Sequence, residues 1–198
     1  MVSMINIAQL VRSTAFATCL LFSCKPKEKD NTSPPSAEAK SYLPAIELES
    51  KVFTYAPEMD ITTCEALAQC DCCAGNLLFV NSTHFVKIDY CEGDRVYRTG
   101  TYSIENQTVT LRVNSSVIEQ LMNWEETGSS GAGNFVLTET QAEPSVITLT
   151  QLQCEKNLAF DTDLEETPFA TWNKEYQYNE IVREMKENGV WSRLKVGL

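Results

Sequence analysis

In Gly100-Thr101-Tyr102-Ser103-Ile104-Glu105-Asn106-Gln107-Thr108-Val109-Thr110-Leu111-Arg112-Val113, apolar and polar residues alternate on either side of a polar break. Tyr102 and Ile104 stand between Thr101, Ser103 and Glu105. Beyond Asn106-Gln107, the residues Val109, Leu111 and Val113 stand between Thr108, Thr110 and Arg112. A period of two sends successive side chains to opposite faces, the signature of a half-buried strand. Asn at the break accepts turn geometry. The stretch therefore predicts two antiparallel strands joined by a turn.

The same rhythm continues outward. Val86, Ile88 and Tyr90 alternate with Phe85, Lys87 and Asp89, so one set is expected on a buried face and the other toward water. Phe135 and Leu137 alternate with Val136 and Thr138, and Ile147 and Leu149 with Val146 and Thr148. Turn residues punctuate the runs at Asn81-Ser82-Thr83, Glu92-Gly93-Asp94 and Ala142-Glu143-Pro144-Ser145. Evenly spaced short strands predict a mainly β, antiparallel meander closed into a barrel or sandwich. The C-terminal end changes period. Tyr178, Ile181, Val182 and Met185 recur at i, i+3, i+4, i+7, which predicts one C-terminal α-helix with Asn173 as its N-cap and Gly189 just past its end. Val190, Leu194, Val196 and Leu198 alternate with Trp191, Arg193 and Lys195 and predict a short final strand.

Leu78-Phe79, Phe85-Val86, Gly100-Thr101-Tyr102-Ser103-Ile104 and Val109-Thr110-Leu111 together resemble the strand pattern of small lipocalin-like bacterial lipoproteins. The order of strand meander, helix and final strand is similar to that of lipocalins. The Gly-x-Trp signature that lipocalins carry near the first strand is absent from the start of the domain. The resemblance implies a barrel that either holds one small apolar ligand or is filled by its own side chains.

The leader carries a second resemblance. An apolar run from Ala15 to Phe22 is too short to span a bilayer and suits the core of a signal peptide. It ends in Leu21-Phe22-Ser23-Cys24, which resembles a lipoprotein signal, with an aliphatic residue three places before the cysteine and a small one just before it. The resemblance implies residues 1–23 as signal peptide, Cys24 as the lipidated residue and an outer-membrane location, because Lys25 rather than Asp follows the cysteine. Several acyl chains on one residue hold a protein to a membrane nearly permanently. Residues 24–42 then form the lipidated end and a flexible tether rich in Pro, Ser, Lys and Glu, and residues 43–198 one domain.

Charge excludes one class of partner. The chain has 16 basic and 27 acidic residues and a net charge of −11. Losing residues 1–23 removes Arg12 alone and leaves the remainder more acidic still. Nucleic acid, which needs clustered Lys and Arg, is not an expected partner.

Six cysteines remain beyond Cys19 and Cys24: Cys64, Cys70, Cys72, Cys73, Cys91 and Cys154. An even number in an oxidising compartment reads as disulfides, and spacing alone does not choose among the pairings. Adjacent Cys72 and Cys73 are expected to bond different partners, and a link such as Cys64–Cys91 illustrates how the cluster would staple the segment before the barrel to later strands. The alternative is a thiolate site for Cu or Zn at Cys70, Cys72 and Cys73. A redox pair at Cys70 and Cys73 lacks the surrounding βαβ pattern.

No catalytic constellation is legible. His84 is the sole histidine, in a turn before a strand. Asp161-Thr162-Asp163-Leu164-Glu165-Glu166 lacks the Gly and the terminal Glu of a calcium loop and reads as a solvated acidic loop. Gly128-Ser129-Ser130-Gly131-Ala132-Gly133 reads as a loop between strands. No phosphate or dinucleotide motif calls for a cofactor. The expectation is a non-enzymatic binding module for a small apolar ligand or a protein partner. A metal-binding lipoprotein and a disulfide-stapled protein inhibitor are the alternatives.

Overall fold

The Gly100–Val113 stretch becomes the seam of a barrel in the computed structural model, which describes residues 45–67, 72–123, 135–155 and 157–196. All of these lie in the compact unit Ser41–Leu198. The leader, Cys19, Cys24, the tether up to residue 44, Cys70, Trp124 and the Gly128–Gly133 loop fall outside the described residues.

The strands are β1 (Val52–Ala56), β2 (Ala74–Phe79), β3 (His84–Cys91), β4 (Asp94–Glu105), β5 (Thr108–Met122), β6 (Phe135–Gln141), β7 (Ser145–Leu152), β8 (Ala159–Thr162) and β9 (Phe169–Trp172). Turn residues set two of the hairpins. Glu92 and Gly93 (φ 49° and 92°) join β3 to β4, and Asn106 and Gln107 (φ 47° and 69°) join β4 to β5. Two central residues at positive φ make the tight turn whose twist matches that of the flanking strands.

All pairings are antiparallel, in the order β4-β3-β2-β1-β9-β8-β7-β5, and β5 pairs back to β4, so the sheet closes. Closure leaves no edge on the barrel itself. The 15-residue β5 serves two neighbours. Thr108–Val113 pairs with β7, while Ser116–Met122 pairs with β6. Thus β6 and β7 follow one another along the same side of β5, interrupted at Ala142-Glu143-Pro144, where Pro has no N–H to donate. With the facing halves of β4 and β5, β6 forms a wing beyond the barrel rim. The register of β4 shifts between Arg98 and Gly100. A Cβ at Gly100 would lie 2.1 Å from the Arg112 carbonyl oxygen and 2.7 Å from the Phe85 ring, so only glycine fits there.

On β1, β2 and β3 alternation separates two cores rather than core from water. Phe53, Leu77, Phe79, Phe85, Tyr102, Leu111, Leu149 and Phe160 fill the barrel interior. Phe79 packs edge-on against Phe53 and Tyr102, with ring centroids at 5.6 and 5.0 Å, and Phe160 lies 5.3 Å from Phe53. Such pairs add about 0.5–1.5 kcal/mol each beyond area burial. The opposite set, Val52, Leu78, Val86, Ile88, Tyr97 and Ile118, is buried on the outer face beneath the C-terminal helices. The expectation that the Phe85, Lys87 and Asp89 face of β3 meets water fails, because barrel closure turns it inward, while helix α1 (Tyr178–Glu187) covers the opposite face.

α1 lays Ile181, Val182 and Met185 on that outer core. Glu184 of α1 pairs with Arg95 of β4 at 2.5 Å. The N-cap is Gln177 rather than Asn173. Asn173 instead accepts the backbone N–H groups of Glu175 and Tyr176, making the turn that leads into the helix. Gly189 (φ 74°) follows α1 in the left-handed conformation, as a residue past a helix end requires. The stretch expected as a final strand is a second short helix, α2 (Val190–Leu194). Val190 and Leu194 are four apart as well as an even number apart, so they fit a helical face, and both are buried in the outer core.

Candidate functional site

The barrel interior leaves its open end as the place where chemistry is exposed. Phe53, Leu77, Phe79, Phe85, Leu111, Leu149 and Phe160 are each 0 or 1 % exposed. They fill the space that a small apolar ligand would need, and the reading that places such a ligand inside the barrel is not retained.

At one end the interior-facing residues change character. Beyond Phe85, the next residues of β3 on the same face are Lys87 and Asp89; beyond Phe53 on β1 comes Tyr55. These three residues line a cleft of about 420 Å³ together with Cys72, Cys73, Ala74 and the β8–β9 loop Leu164–Thr167. Gly75 lies opposite Asp89, and a Cβ there would meet the Tyr55 ring at 2.8 Å, so the close approach of ring and strand depends on glycine.

Lys87 is ion-paired with Asp89, and its ammonium lies 5.3 Å from the centroid of the Tyr55 ring. Side-chain exposure is 14 % for Lys87 and 37 % for Asp89. Tyr55 is 2 % exposed, and its hydroxyl is buried with no hydrogen-bond partner among the described residues. Burial first, and the neighbouring Asp89 carboxylate second, hold the Tyr55 phenol well above its ordinary pKa, so it stays protonated. A residue lining the cleft thus carries a buried O–H donor with no acceptor among the described residues, which is costly unless something supplies one.

The sequence pattern missed this site. Lys87 and Asp89 read as the water-facing set of a strand, and Glu165 and Glu166 as a solvated loop. The signal that would have found it was the break from aromatic to charged residues along a single interior face, Phe85 to Lys87 to Asp89.

The cysteines are placed as staples. Cys64 is bonded to Cys154, and Cys72 to Cys91, so the illustrative Cys64–Cys91 link does not form. The physical reason is that Glu58–Leu67 folds against the ends of β7 and β8: Met59 and Cys64 pack with Ala159, and Asn157 donates to the Thr63 carbonyl at 2.8 Å. Asp60 caps that turn, its Oδ1 accepting from the Thr62 and Thr63 backbone at 2.8 and 2.9 Å, which holds its carboxyl below the usual pKa. Cys72 and Cys73 are both disulfide-bonded, so neither is a thiolate. Among the described residues no group of three or more His, Cys, Asp or Glu is arranged to hold a metal, which overturns the thiolate reading for Cys72 and Cys73; Cys70 lies outside those residues. His84 is held in its turn by Asn81 and Thr83: Asn81 Oδ1 accepts its backbone N–H at 2.9 Å, and Thr83 Oγ1 lies 2.9 Å from its Nδ1.

The fold defines a class: an eight-stranded antiparallel streptavidin-like barrel with a ninth strand in its wing. A crystal structure of a streptavidin-like protein from Bacteroides eggerthii superposes with a TM-score of 0.53 at 9 % identity, covering 73 % of this chain and 92 % of that one. At that identity the likeness concerns the fold alone. The chain matches no protein-family model and no curated protein.

Proposed function

We propose that this protein is a non-catalytic binding module, anchored through lipid on Cys24 to the outer membrane, that engages its ligand at the mouth of the barrel. The supporting observation is the contrast along one face: a filled aromatic interior, then a cleft lined by Tyr55, whose buried hydroxyl has no partner among the described residues. A streptavidin-like barrel is a scaffold on which small molecules are bound at an open end. Native mass spectrometry of protein purified from envelopes tests the reading. A bound small molecule of defined mass is expected on the native chain and absent from Leu164→Trp, which enlarges a side chain lining the cleft. Retention of that molecule by Leu164→Trp would place binding elsewhere. The anchoring is tested separately: Cys24→Ala is expected to move the protein from the membrane fraction to the soluble one.

A disulfide-stapled protein inhibitor is the second reading. The filled interior and the two staples give a rigid outer surface suited to a protein partner. Pull-down of purified hydrolases by the native chain, insensitive to Leu164→Trp, would favour it.

A further inference from the structure

We infer that the mouth is a site for a small organic cation that also carries a hydrogen-bond acceptor, such as an amine or guanidine bearing a carbonyl group. The inference rests on the reading that the mouth is where this protein binds. Charge balance gives the first half. Asp89, Glu165 and Glu166 line the cleft against one ammonium, Lys87. That ammonium is already committed to Asp89 and to the face of Tyr55. Glu165 and Glu166 sit on the exposed rim, and neither is in an ion pair among the described residues. An anion entering here would have to take Lys87 from Asp89 while facing two further carboxylates, in a chain of net charge −11. A cation meets the rim carboxylates and leaves the Lys87–Asp89 pair intact.

The Tyr55 hydroxyl gives the second half. Tyr55 lines the cleft, and its hydroxyl is buried with no partner among the described residues, so an acceptor on a ligand that reaches it removes an unmet donor. A site with such a donor discriminates strongly against analogues that lack the acceptor. The cleft volume, about 420 Å³, is at the small end of the range for small-molecule sites.

The test is an NMR titration of the disulfide-intact full chain in detergent, following the backbone amides of Ala74, Lys87 and Thr167. Three probes separate the features: argininamide carries cation and acceptor, butylguanidinium the cation alone, and acetylglycine an acceptor on an anion. Argininamide is expected to saturate the shifts. Its affinity should fall about tenfold in Tyr55→Phe and in the Glu165→Gln/Glu166→Gln double variant, and butylguanidinium should bind about tenfold more weakly than it. Tyr55→Phe keeps the ring and its packing, so loss of fold does not confound it. Acetylglycine binding as well as argininamide would overturn the cation and leave the mouth as a site. Argininamide binding that Tyr55→Phe does not weaken would overturn the acceptor. If none of the three probes moves any mouth amide, the mouth reading falls with the inference.

Discussion

Tyr90 ends a run of buried and half-buried polar side chains that crosses three elements. Asn173 Nδ2 donates to Thr54 Oγ1 at 3.0 Å, Thr54 Oγ1 to Asn76 Oδ1 at 3.1 Å, and Asn76 Nδ2 to Tyr90 Oη at 2.9 Å. Thr54 and Asn76 can be buried because this run satisfies them. Burial of Tyr90 raises its pKa from 10.0 to about 12, against the opposing effect of the Asn76 hydrogen bond. The folded value lies above the unfolded one, so the contribution is fully present below pH 10 and is lost as pH rises toward 12. The expected loss is up to about 1.4 kcal/mol per pH unit in that window. Urea midpoints measured across it should fall, and Tyr90→Phe should flatten the fall. Gly100 makes a second prediction at this scale. A methyl at Gly100 collides with the Arg112 carbonyl and the Phe85 ring, both within the sheet. Gly100→Ala is expected to cost about 3 kcal/mol, read as a lower urea midpoint at unchanged slope.

At the scale of elements, the two staples differ in reach. Cys64–Cys154 spans 90 residues and ties the Glu58–Leu67 segment to the connection between β7 and β8. Cys72–Cys91 spans 19 and ties the start of β2 to the end of β3 at the mouth. Loop entropy alone assigns about 4.6 kcal/mol to the first and about 3.2 kcal/mol to the second. Cys64→Ala/Cys154→Ala should therefore lower stability more than Cys72→Ala/Cys91→Ala, and chemical denaturation of the two double variants checks the order. The second pair should matter more to the mouth, since Cys72 lines it. Helix α1 was legible from its stripe because Ile181, Val182 and Met185 all face one core. Helix α2 was not, because in five residues a helical and an extended period pick out the same apolar positions.

Across the whole molecule, closure of the sheet fixes the volume that side chains must fill, and four phenylalanines with Tyr102 fill much of it. Phe79 touches three of the others. Phe79→Ala is expected to cost about 3–5 kcal/mol and to leave a dry apolar cavity. Xenon or benzene should then bind the variant and raise its melting temperature, while the native barrel takes up neither. A native barrel that binds benzene as well would show that its interior is not filled.

The strands β3 to β7, their turns and the amphipathic helix were determined locally, because period and turn chemistry act within a few residues; the short β1, β8 and β9 carry no such alternating run and were decided by their neighbours in the sheet. Val109, Leu111 and Val113 needed no distant partner to declare a strand face. The pairing of Cys64 with Cys154, the burial of both faces of β3 and the meeting of Tyr55, Lys87, Asp89 and Glu165 were decided only by tertiary structure. Each brings together residues from separate elements, and the sequence pattern records which side of its own strand a residue takes but not what stands opposite it. Alternation placed Lys87 and Asp89 opposite Val86 and Ile88; only barrel closure turned their side inward, and only the arrival of α1 covered the other.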